Sequence, residues 1–129
     1  MIHTLPNGLR IIHETSNSSV VYCGYVVCSG TRHEAPAESG MAHFVEHMTF
    51  KGTERRKASQ VTTTLERVGG DLNASTSKQE TVYTAAVLKE DVARAVDLLS
   101  DIVFHSTFPQ QEVEREVEVI CDEIDSYLD

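Results

Sequence analysis

Gly69-Gly70-Asp71-Leu72-Asn73-Ala74-Ser75-Thr76-Ser77-Lys78-Gln79-Glu80-Thr81-Val82-Tyr83-Thr84-Ala85-Ala86-Val87-Leu88 is the stretch on which the fold turns. The paired glycines close a preceding helix. Two extended segments follow, 71–77 and 81–88, joined by a polar turn at Lys78-Gln79. Upstream, Val61, Leu65 and Val68 line one side of a helix over 59–68, and 51–57 is a charged connection. A shorter helix over 40–50 precedes it, because Met41, Phe44, Val45 and Met48 recur at i, i+3, i+4 and i+7. Residues 20–28 are β-branched, aromatic and apolar on both faces, which predicts a central strand covered on both sides. Pro6-Asn7-Gly8 marks a turn between short extended segments at 2–5 and 9–14, and 15–19 and 29–39 are loops. Downstream, Val92, Ala95, Val96, Leu99, Ile102 and Val103 form the stripe of a helix over 90–105. Pro109 suits the first turn of a fourth helix, where Val113, Val117, Ile120 and Ile124 recur at helical spacing. The order β-β-β-α-α-β-β-α-α predicts an α+β domain with helices packed on one face of a largely antiparallel sheet.

The 129 residues suffice for one domain with a core, so 1–129 is read as a single unit. The fourth helix runs close to Asp129 with no stop signal, as in a truncated N-terminal piece of something longer. A formal net charge of −9 would repel a phosphate backbone, which argues against nucleic acid as a partner. No apolar run approaches the roughly 20 residues needed to span a bilayer, so no membrane partner is expected. The start carries no basic-then-apolar targeting segment. Cys23, Cys28 and Cys121 form no C-x-x-C pair and read as buried free thiols of a reducing compartment. Both features point to the cytoplasm. Arg55-Arg56-Lys57 reads as a solvated loop, and His3, His13, His33 and His105 as surface or turn histidines.

His43-Phe44-Val45-Glu46-His47 matches H-x-x-E-H, the inverted zinc-peptidase motif. On a helix His43, Glu46 and His47 fall within about 100° of one another, opposite the apolar face. Both imidazoles can then reach one ion with a carboxylate beside them. Imidazole nitrogen and carboxylate oxygen are usual zinc ligands, and a catalytic zinc takes three protein ligands and leaves a position for water. The third ligand must come from elsewhere, since Glu46 is needed as a base. Glu112, Glu116 and Glu123 share one flank of the fourth helix, where three carboxylates repel unless a cation sits nearby. Spacing does not choose among them. Glu114 and Glu118 point to the other side and read as a solvated acidic face.

Several blocks in order resemble the pitrilysin/insulysin/mitochondrial processing peptidase family of inverzincins. They are Leu5-Pro6-Asn7-Gly8-Leu9; the run from Ser39 through His43-Phe44-Val45-Glu46-His47 to Gly52-Thr53; Gly69-Gly70-Asp71-Leu72-Asn73-Ala74-Ser75-Thr76 followed by Thr81-Val82-Tyr83; and Glu116-Val117-Glu118-Val119-Ile120-Cys121-Asp122-Glu123-Ile124. The resemblance implies a zinc-dependent endopeptidase acting on extended or unfolded peptides, with one zinc per chain. It implies His43 and His47 as ligands and Glu46 as general base. It implies Glu123, 76 residues after His47, as third ligand, and Glu116 as a carboxylate orienting a ligand histidine. Asn73 and Ala74 would lie on an edge strand that pairs with the peptide substrate. In the family the metal domain continues beyond this length and a second, related domain holds the substrate carbonyl, so the isolated piece is expected to be inactive or weakly active. The full-length protein is expected to be a homo- or hetero-oligomer. The rival reading is a non-catalytic scaffold subunit, but such members commonly lose part of the metal set, and all four positions are present here.

Overall fold

The hairpin at residues 71–88 supplies the centre and one edge of a three-stranded antiparallel sheet in the computed structural model, which describes residues 1–128. In chain order the strands are β1 (Ile2–Thr4), β2 (Arg10–Ile12), β3 (Val20–Val27), β4 (Asp71–Thr76) and β5 (Thr81–Leu88). The α-helices are α1 (Met41–Met48), α2 (Ala58–Glu66), α3 (Val92–Phe104) and α4 (Gln110–Leu128). The order and the α+β class are those expected. The sheet order is β3-β5-β4, and β1 pairs with β2 as a separate hairpin. Its turn has Gly8 at φ 92, a left-handed conformation that glycine adopts without penalty.

Side chains alternate across the sheet. Tyr83, Ala85 and Val87 of β5 point to the helical side and are buried, opposite Tyr25, Cys23 and Val21 of β3. They pack with Val61 and Leu65 of α2 and Ala95, Leu98, Leu99 and Ile102 of α3. Full burial of each large aliphatic side chain contributes roughly 1.5–3 kcal/mol, so this single layer of helices on one sheet face holds the domain together.

Four expectations are corrected. β3 is an edge strand, and the face it turns away from the helices is open, with Tyr22 80% and Val26 59% exposed. Its two-sided apolar pattern imitates a covered strand, but β5 takes the centre because both β3 and β4 pair with it. On α1 only Met48 of the apolar face is fully buried, while Met41 and Val45 are exposed. Of the thiols, Cys28 and Cys121 are exposed and only Cys23 is half-buried, its thiol pushed up by that burial. Arg55 and Arg56 are engaged, not merely solvated. Arg56 Nη1 donates to Asp101 Oδ2 at 2.6 Å and Arg56 Nη2 to Asp97 Oδ2 at 2.8 Å.

That arginine pair explains an acid inside α3. Asp101 is 1% exposed and also accepts from Thr53 Oγ1 at 2.7 Å. Its Oδ1 makes no hydrogen bond among the described residues, with Arg55 Nε 3.6 Å away. Burial pushes the Asp101 carboxyl up. The bonds from Thr53 and Arg56 and both guanidinium charges outweigh that and hold it below the usual carboxylate range. The cluster ties the connection after α1 to α3. Removing one partner of a buried pair costs about 3–5 kcal/mol. Arg56→Met is expected near the low end, because Thr53 and Arg55 remain. A depressed carboxylate stabilises the fold above its unfolded pKa of about 3.9 and loses that contribution as pH falls through the folded value. The difference between wild-type and Arg56→Met urea melts should therefore be full at pH 7 and shrink below about pH 4. A constant difference across that range would contradict the assignment.

Candidate metal centre

The helix α1 enters its site by an unusual cap. Gly40 sits at φ 89 and offers no side chain to the free N–H groups of the first turn. Glu34 supplies the acceptor instead: its Oε2 takes the Ala42 N–H at 2.6 Å and its Oε1 the Gly40 N–H at 3.3 Å. A carboxylate there also suits the positive end of the helix. The loop expected at 29–39 thus contains ordered 3-10 turns at Thr31–His33 and Pro36–Glu38. It is tied to the β4–β5 turn by Thr31 N–H to Ser77 O and Arg32 N–H to Lys78 O, both 3.0 Å. A Cβ on Gly30 would strike the backbone of residues 77–79, so glycine permits this close approach.

With α1 so placed, α4 packs against it. A Cβ on Gly40 would meet Ile124 Cδ1 at 3.0 Å. Ile120 and Glu116 are buried, while Val117, expected in the apolar stripe, is 48% exposed. The buried face of α4 therefore runs through Glu116 itself, and Glu116 is not on its flank.

His43 and His47 are one turn apart, with ring centroids 4.7 Å from each other. Glu123 Oε2 lies 3.2 Å from His43 Nε2 and 3.8 Å from His47 Nε2. One ligand atom from each of the three residues lies within 4.8 Å of the other two. Glu123 Oε2 is buried and makes no hydrogen bond among the described residues, despite those short approaches. Two imidazole nitrogens and a buried carboxylate oxygen gathered together, with no hydrogen bond made to that oxygen among the described residues, is an arrangement a cation satisfies. Ligands on a tetrahedral zinc at about 2.0–2.1 Å stand about 3.3 Å apart, close to the 3.2 Å between Glu123 Oε2 and His43 Nε2. The donor set, two imidazoles and a carboxylate, fits zinc.

Glu116, seven residues before Glu123, reaches the same histidine from behind. Its Oε2 is 2.8 Å from His47 Nδ1 and its Oε1 3.1 Å from Lys51 Nζ. Burial pushes the Glu116 carboxyl up, but the bonds and charges of His47 and Lys51 prevail and hold it low. Held against Glu116 through Nδ1, the His47 ring turns its Nε2 toward Glu123. Glu112, which spacing left as an alternative, pairs instead with Arg115 at 3.3 Å on the helix surface.

Glu46 turns toward β4, where the Thr76 hydroxyl donates to its Oε2. Below it, Thr49 Oγ1 donates to the Glu46 carbonyl at 2.6 Å. Tyr83 is buried nearby; burial pushes its phenol up, a hydrogen bond with Thr49 works against that, and the Glu46 charge adds to the rise. A cleft of about 280 Å³ opens here, lined by Glu46, His47, Phe50, Lys51, Leu72, Asn73 and Ala74. Asn73 and Ala74 belong to β4, an edge strand of the sheet. Sequence reasoning missed Glu34, Lys51 and Thr76 as site residues, although the last two lie inside the quoted blocks.

Fold and constellation together define a class, the α+β domain that carries an inverted histidine–glutamate–histidine helix. The chain belongs to the insulinase family of peptidases, peptidase family M16, whose pattern matches residues 10–129. A Bacillus subtilis (strain 168) protein named as an uncharacterised zinc protease, YmxG, is 43% identical over 129 residues, covering 98% of this chain and 31% of that protein. The beta subunit of the mitochondrial-processing peptidase of Rattus norvegicus is 42% identical over 120 residues, covering 93% of this chain and 24% of the subunit. The crystal structure of a protease from Helicobacter pylori superimposes with a TM-score of 0.92 at 28% identity, over 95% of this chain and 30% of that one. The chain spans less than a third of the length of each of these relatives. Among the described residues no helix is long and apolar enough to cross a membrane.

Proposed function

We propose that this chain is the N-terminal catalytic part of a zinc-dependent endopeptidase that hydrolyses extended peptides. The observation that carries the reading is the convergence of His43 Nε2, His47 Nε2 and Glu123 Oε2 beside Glu46 and an open cleft. His43, His47 and Glu123 would hold one zinc, which would lower the pKa of a coordinated water toward about 7 and polarise the scissile carbonyl. Glu46 would take the water proton on its carboxylate and return it to the leaving amine. Thr76 holds one carboxylate oxygen, so the other is the one assigned to the proton. The free edge of β4 at Asn73 and Ala74 offers backbone groups to an extended peptide, which would lie along the cleft as an added strand. Pairing through main-chain groups favours unfolded or extended segments over folded ones. Resemblance to a protein named as a beta subunit supports assembly with a further subunit.

The test is metal content together with turnover. About one zinc per chain is expected by elemental analysis. Cleavage of an unstructured peptide by the protein at its natural full length should stop with a chelator and return with zinc. Turnover that survives complete metal removal would defeat the proposal.

A further inference from the structure

We propose that Lys51 is a positioning residue for the metal centre: its ammonium holds Glu116 in the one orientation that aims His47 at the cation. The inference rests on the zinc reading above. Lys51 follows His47 by four residues, just past the end of α1, and its backbone N–H is bonded to Met48 O at 3.1 Å. Its Nζ meets Glu116 Oε1 at 3.1 Å, while Glu116 Oε2 meets His47 Nδ1 at 2.8 Å. The Glu116 side chain is 7% exposed, so these donors stand in for water.

A carboxylate bonded through one oxygen can turn about its terminal bond. Bonded through both, to donors on opposite sides, it cannot turn without breaking a charge-assisted hydrogen bond. The lysine therefore fixes the plane of Glu116, Glu116 fixes the ring of His47, and the ring fixes where Nε2 points. The chain of contacts runs between two helices and joins α4 to α1 independently of Glu123. Two effects of the lysine oppose each other. Its charge repels a cation, so a purely electrostatic role predicts tighter zinc binding when it is removed. Its hold on Glu116 pre-organises a ligand, so a positioning role predicts weaker binding. The sign of the change separates the two.

Lys51→Met keeps the length and the apolar stem while removing the ammonium. Lys51→Arg keeps a cationic donor. Zinc affinity of the chain and both variants would be measured by competition with a chromophoric chelator. Alongside it, the visible spectrum of the Co2+-loaded site reports ligand geometry, and circular dichroism confirms that each protein is folded. Outer partners of ligand histidines typically contribute 10–100-fold in metal affinity. Lys51→Met, one step further out, is expected to weaken zinc by roughly ten-fold and to alter the Co2+ spectrum, with Lys51→Arg restoring both. Equal or tighter zinc in Lys51→Met, or an unchanged Co2+ spectrum, would overturn the inference while leaving the zinc site standing. Failure of the unmutated chain to bind zinc would overturn the reading of the site itself, and this inference with it.

Discussion

Glu46→Gln, introduced into the protein at its natural full length, is expected to lower kcat by roughly 10²–10⁴-fold, the range general acid–base groups contribute. Zinc content should not change. The amide keeps the size of the carboxylate and still accepts from the Thr76 hydroxyl, so local packing survives. What disappears is the capacity to take a proton at the oxygen facing the cleft. KM should move little, because the cleft lining of Phe50, Leu72 and Ala74 is untouched. Rapid peptide kinetics beside elemental analysis would read both quantities. Retained turnover at wild-type kcat would remove Glu46 from the role of base. Loss of zinc together with turnover would mean that Glu46 serves the metal instead.

Glu123→Gln should produce the largest change in metal binding. The residue lies on α4, 76 positions after His47, and its Oε2 is the atom that closes the triangle with the two imidazoles. Losing an anionic ligand should cost more than the 10–100-fold attributed to outer partners. The zinc-dependent rise in melting temperature should vanish with it, since a ligand present at 100 times its Kd stabilises by about 2.7 kcal/mol. The metal-free variant is expected to be no less stable than the metal-free wild type. Glu123 Oε2 is buried without a hydrogen bond among the described residues, so the neutral amide removes a desolvated charge that nothing satisfies without metal. Thermal melts with and without zinc test this. A normal zinc-induced shift in Glu123→Gln would show that the third ligand is another group.

Much of the fold is written in local patterns. The turn residues at Pro6-Asn7-Gly8 and Lys78-Gln79, the glycine pair after α2 and the 3.6-residue stripes of the helices depend on neighbours a few positions apart. They were legible from composition and spacing for that reason. His43, Glu46 and His47 fall in the same category, because one helical turn brings them together whatever surrounds the helix. β3 misled because a two-sided apolar pattern describes what a strand could bury, not what actually covers it. Arg56 misled for a related reason: a charged residue looks solvated until a partner 45 positions away is seen to neutralise it.

The sequence by itself determined the element order, the α+β class and the motif helix with His43, Glu46 and His47 on one side. Spacing left Glu112, Glu116 and Glu123 open, and the family resemblance pointed to Glu123 with Glu116 behind it. The approach of Glu123 to both imidazoles, the turn of Glu116 into the buried face of α4 and the contact of Lys51 with Glu116 are visible only in the tertiary structure. Seven-residue spacing puts Glu116 and Glu123 on one side of a helix, but it carries no record of which carboxylate meets the ion's position and which meets the ring behind it. That depends on how α4 lies across α1, an arrangement set by Gly40 against Ile124 and by the burial of Ile120. Packing between distant segments is a property of shape, and shape is not periodic in the sequence.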